Sequence, residues 1–114
     1  MRPLLLSLLL AAGTAHAGEY WTPAAHHTQA LLTVELPESQ LNFVCSANRL
    51  DSYGCFDRTQ GIIYLRAGMN PVLRKCVLSH EEKHQDFDHA EYRLPFLDCG
   101  DGTWLSAETL RDLQ

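Results

Sequence analysis

The pattern of hydrophobic and polar positions changes character along the chain. Leu4 to Leu10 is apolar except for Ser7. From Gly18 to Gln29 no period is visible, and Trp21, Pro23 and the paired His26 and His27 suggest an irregular arm. Ala30 to Leu36 is rich in β-branched and apolar residues and stops at Pro37, which predicts a strand. Gln40 to Ala47 is read as a second strand, and Asp51-Ser52-Tyr53-Gly54 as a turn by composition. Gln60 to Arg66 is the strongest strand signal and ends before Gly68.

After Gly68 the period becomes helical. Asn70 can cap free amide groups, and Pro71 fits a first helical position, where its missing N–H costs nothing. Leu73, Val77, His80, His84, Phe87 and Glu91 then fall near one another around a helix axis. No Gly or Pro intervenes before Pro95, so the spacing predicts one long helix from Pro71 to Tyr92. Asp98 to Gly102 reads as a loop, and Ser106 can cap a short last helix through Leu113. The expected fold is α+β: a small antiparallel sheet packed on one long helix, with a short C-terminal helix.

The first residues are expected to be a leader rather than part of that fold. Arg2 precedes the apolar run, and Ala15-His16-Ala17 offers small residues at a cleavage spacing. The run is too short for a stable transmembrane helix, so residues 1–17 read as a cleaved signal peptide with no stable membrane anchor. Residues 18–114 then form a single domain, secreted or periplasmic. Four cysteines in a small exported chain suggest two disulfides. Three pairings are possible; Cys45–Cys55 and Cys76–Cys99 are favoured because each closes a local loop. Acidic residues number 14 against 9 basic, a formal net charge of −5. No basic stripe is present to hold a phosphate backbone, so nucleic acid is not an expected partner.

The segment His80-Glu81-Glu82-Lys83-His84 carries the chemistry. On a helix, residues four apart stand one turn apart on the same face. Two imidazoles so placed can bind one Zn²⁺ at about 2.0–2.1 Å each. Glu81, beside the metal, can take a proton from metal-bound water, whose pKa the ion lowers to about 7.

Val77 to His84, preceded by the strand over Gly61–Arg66, resembles the active-site helix and edge strand of the zincin metallopeptidases. In that superfamily the strand lies antiparallel to a bound peptide and the helix holds the metal. The resemblance implies His80 and His84 as zinc ligands, Glu81 as general base, and a peptide or protein substrate. It leaves the third ligand open. Metzincins bend at a Gly after the second His to bring in a third; residues 85–90 contain no Gly, and the equivalent position is Ala90. Gluzincins take a Glu from a second helix with an Asp four residues on, a spacing that Glu108 and Asp112 match. Glu108 is therefore the expected third ligand. A Cys76–Cys99 bridge would instead bring Asp98 or Asp101 near His80, as in aspzincins. Glu91 is a further rival, and Asp88 and Glu91 could serve behind the ligands.

Blander roles stand beside these. On a continuous helix His89 faces away from His80 and His84. His26 and His27 read as an exposed pair, and Trp21 and Trp104 as core or lid residues. Cys76 could ligate metal, although a disulfide suits an exported chain better. Two functions are carried forward: an exported zinc-dependent metallohydrolase cleaving peptide bonds, and a disulfide-stapled extracytoplasmic binding or inhibitor protein whose zinc site is structural or absent.

Overall fold

A computed structural model describes residues 20–45, 53–90 and 95–114. The expected leader over residues 1–17 lies outside them. The described elements run β1 (Trp21–Pro23), β2 (Leu32–Leu36), α1 (Glu38–Val44), β3 (Gly54–Asp57), β4 (Ile62–Arg66), α2 (Pro71–Lys83), β5 (Phe87–His89), β6 (Phe96–Asp98), β7 (Trp104–Ser106) and α3 (Ala107–Asp112). Among these residues no helix is long and apolar enough to cross a membrane.

The architecture is α+β, with the strands in three small sheets rather than one. β4 is the centre of the largest. β3 pairs with it antiparallel, and β2 pairs with it parallel, Leu32 opposite Ile62 and Leu36 opposite Arg66. The expected all-antiparallel sheet is thus a mixed one. The parallel pairing is possible because α1 and β3 lie between β2 and β4 in the chain, long enough to form a crossover. The β3–β4 turn is fixed by Asp57, whose carboxylate accepts from the Thr59 and Gln60 amides at 2.9 and 3.2 Å.

α1 takes the place of the expected Gln40–Ala47 strand up to Val44; Ser46 and Ala47 lie outside the described residues. It starts directly after Pro37 and buries Leu41 completely, while Phe43 is 83% exposed. The helix packs against β4, and that tertiary contact outweighs the β-like composition of the segment.

α2 begins as expected. Asn70 accepts from the Val72 amide at 2.8 Å, and Pro71 occupies the first turn. Its inward face is Leu73, Cys76, Val77, His80 and Glu81, a helical stripe of buried positions. Leu73 and Val77 pack on Ile63 and Leu65, which share one face of β4. Gly54 allows this closeness: a Cβ there would lie 2.6 Å from the Tyr64 carbonyl oxygen and 3.1 Å from Val77.

The long helix expected to reach Tyr92 is not formed; α2 stops at Lys83. The amides of His84, Gln85 and Asp86 each bond three residues back, at 3.1 Å, so the last turn tightens and closes. The chain then becomes β5, which pairs antiparallel with β1, Trp21 opposite His89. Strand pairing with a distant arm outcompetes continuation of the helix. The arm itself is ordered by the same contacts, with the Ala24 and Thr28 amides donating to the Asp86 and Gln85 carbonyls at 2.8 and 2.9 Å.

The Asp98–Gly102 segment is the turn of a hairpin, β6 pairing with β7. Gly100 adopts φ 83°, and a side chain there would press on Lys83. Ser106 caps α3 through the Thr109 amide. Two disulfides, Cys45–Cys55 and Cys76–Cys99, use all four cysteines, which removes Cys76 as a metal ligand.

Candidate metal centre

The end of α2 and the start of β5 bring three histidines together. His80 lies on the buried face of the last full turn of α2, His84 caps its C-terminus, and His89 closes β5. Nε2 of His89 is 3.1 Å from Nε2 of His80 and 3.2 Å from Nε2 of His84. Among the described residues, these three form the group whose donor atoms could hold a metal ion.

The other ring nitrogens decide what those contacts are. Nδ1 of His80 bonds the Asp98 carbonyl oxygen at 2.6 Å, Nδ1 of His84 that of Phe87 at 3.0 Å, and Nδ1 of His89 that of Ala90 at 2.9 Å. A carbonyl only accepts, so each Nδ1 carries the proton. In neutral rings all three Nε2 atoms then present bare lone pairs to one another. Burial drives both His80 and His84 down to about 4, and for His84 the neighbouring His80 and His89 add to the effect. Both rings are therefore neutral near pH 7. Three converging lone pairs repel one another unless a cation sits between them, and orientation of each imidazole through its far nitrogen is what metal-binding histidines show.

On a helix continuing through residue 92, His89 would face away; because α2 ends at Lys83, β5 returns its imidazole to the first two, and His89 is the third member. The basic Lys83 and His84 suit a helix C-terminus but do not enforce one, so the sequence alone did not locate this stop.

Glu108, the expected third ligand, is exposed on the first turn of α3 and outside the histidine group. Its helix packs instead on the β6–β7 hairpin. Asp101 is exposed too, accepting from the Thr103 amide at 3.0 Å. Asp98 is buried and adjoins the site, but it does so through its main-chain carbonyl. Its carboxylate accepts from the Trp21 indole at 3.0 Å and the Gly100 amide at 2.7 Å. Asp88 is exposed and pairs with Arg58 at 2.8 Å. Glu91 lies outside the described residues. Glu81 is 5% exposed on the inward face of α2.

Two aromatic residues of the arm complete the centre. Trp21, 6% exposed, lies with its ring 5.0, 5.1 and 4.8 Å from the rings of His80, His84 and His89. Tyr20 stacks on His89 at 4.4 Å. The lack of period over residues 18–29 hid this role, because two adjacent residues, Tyr20 and Trp21, do the covering.

β4, the strand that the zincin resemblance would align with a bound peptide, has β2 on one side and β3 on the other. Neither of its edges is free.

No protein-family model, no curated protein and no solved structure matches the chain.

Proposed function

We propose that this chain is an exported zinc-dependent hydrolase of peptide-type bonds, with His80, His84 and His89 as ligands and Glu81 as general base. The observation that carries the reading is the convergence of three Nε2 atoms whose Nδ1 partners are all hydrogen-bonded to carbonyls. Three imidazole nitrogens suit Zn²⁺. Structural zinc sites are saturated by four protein ligands, whereas three ligands leave a position for water. Glu81 directly follows a ligand, where a site that only held the fold together has no need of a carboxylate. The two disulfides fit an oxidising compartment, in keeping with the leader-like residues 1–17.

The residues divide the work. The three imidazoles would hold the ion, which would supply a hydroxide-like nucleophile when bound. Asp98, Phe87 and Ala90 fix the rings through their carbonyls. Glu81 accepts the water's proton and returns it to the leaving amine.

The test is a zinc titration beside a peptide-library assay, for wild type and Glu81→Gln. Gln keeps the size but not the basicity, so zinc binding is retained and cleavage falls about 10²–10⁴-fold. Equal cleavage by both proteins rejects Glu81 as the base.

A second reading is favoured by the position of β4. With both edges paired, that strand offers no ladder to an extended peptide. The chain would then be a disulfide-stapled binding protein with a metal centre that orders the α2–β5 turn. Stoichiometric zinc without cleavage of broad peptide and cell-wall substrates by wild type selects this reading.

A further inference from the structure

We infer that Trp21 caps one face of the three-histidine centre and so confines every exchangeable ligand of a bound metal to the opposite face. The inference rests on the metal reading above and adds a residue that positions the reactive ligand.

The ring geometry carries it. The three imidazole centroids are 5.2, 5.0 and 4.7 Å apart, and the Trp21 ring is 4.8–5.1 Å from each. Four rings thus stand at the corners of a near-regular tetrahedron, with the indole at its apex. That apex is about 4 Å above the plane of the three imidazole centroids, the separation of atoms in van der Waals contact. Nε2 of His89 stands 3.1 Å from that of His80 and 3.2 Å from that of His84, separations that suit donors about 2.0–2.1 Å from one ion. A ligand on the Trp21 side of the triangle would have to occupy the space that the indole fills. Water, hydroxide or a substrate carbonyl would then have to approach from the side of the triangle away from Trp21.

Trp21 is held for this task from three directions. Its backbone pairs with His89 across β1 and β5. Its indole N–H donates to Asp98 Oδ1 at 3.0 Å, and the carbonyl of the same Asp98 accepts from His80. The Lys83 ammonium lies 5.4 Å from the ring. The cap and a ligand therefore share one anchor, and moving one displaces the other.

The experiment uses Co²⁺ as the probe, in the full chain. Trp104, 55% exposed, is the other tryptophan, and Trp104→Phe leaves Trp21 as the single indole emitter. In that variant one equivalent of Co²⁺ quenches the emission in step with occupancy. Trp21→Ala opens the capped face to a second solvent ligand, so the visible Co²⁺ absorption weakens as coordination number rises. Affinity falls about 10–100-fold, as for loss of other contacts behind a ligand. Trp21→Phe retains the wild-type spectrum. A metal-loaded Trp21→Ala protein with an unchanged spectrum overturns the cap, as does Co²⁺ binding to Trp104→Phe without quenching, a readout that needs no change at Trp21. Absence of Co²⁺ binding by wild type overturns the metal reading itself, and the cap with it.

Discussion

His80 donates its Nδ1 proton to the main-chain carbonyl of Asp98 at 2.6 Å, and the next residue, Cys99, is bonded to Cys76, one turn before His80 on α2. Ligand, orienting carbonyl and disulfide form one closed circuit. The covalent bond holds the β6–β7 hairpin against the helix, and the hydrogen bond uses that proximity to fix the tautomer that leaves Nε2 free.

The circuit predicts that the two disulfides differ in their effect on metal. Replacing Cys76 and Cys99 by Ala should destabilise the protein by about 2–5 kcal/mol and also weaken zinc binding. Replacing Cys45 and Cys55 should destabilise it with little change in zinc affinity, since that bridge joins α1 to β3. Urea denaturation and zinc titration on both double variants check this; equal zinc affinity in the two would separate the hairpin from the metal site.

Each histidine of the triad should be required. His80→Ala, His84→Ala and His89→Ala should each abolish stoichiometric zinc, whereas Glu108→Ala should keep about one Zn²⁺ per chain, because Glu108 is on the exposed side of α3. Metal analysis after dialysis decides it. Zinc retained by His89→Ala and lost from Glu108→Ala would restore the ligand set expected from the sequence.

Asp98 should act through both its ends. Asp98→Ala leaves the Trp21 indole N–H and the Gly100 amide without their acceptor, at a cost of about 1–3 kcal/mol, while the main-chain carbonyl that holds His80 stays. Asp98→Asn keeps an oxygen at that position and should recover most of the loss. Thermal unfolding with and without zinc measures the loss, and similar behaviour of the Ala and Asn variants would count against the indole contact.

Metal-free protein should lose stability in mild acid. The folded-state values of His80 and His84 are about 4, below the ordinary 6.5, because burial disfavours the charged rings. The unfolded chain therefore takes up protons first as pH falls below about 6.5. Stability drops between about pH 6.5 and pH 4 and levels off once the folded rings also protonate. At about 1.4 kcal/mol per unit of lowering, the loss is on the order of a few kcal/mol. Urea midpoints at pH 7.5 and 4.5 give the slope, and His84→Ala should flatten it. A wild-type midpoint independent of pH over this range would contradict the buried neutral pair.

What the sequence determined by itself was local. Asn70-Pro71 set the start of α2, Ser106 the start of α3, and the run Gly61–Arg66 the central strand, because caps and β-branched runs act over a few neighbouring residues. His80 and His84 were legible as a pair for the same reason: four residues on a helix is a fixed distance. The Cys45–Cys55 and Cys76–Cys99 bridges followed the preference for local loops. Where the helix ends was not local. Nothing between His84 and Tyr92 breaks a helix; the stop comes from β1, more than sixty residues earlier, offering β5 a strand partner and an aromatic cover. That one pairing moves His89 from the far side of an imagined helix to 3.1 Å from His80, and turns a two-histidine motif into a three-nitrogen centre. Likewise, the parallel addition of β2 decided that β4 would be central, a choice set by how the chain crosses the sheet and not by the composition of either strand.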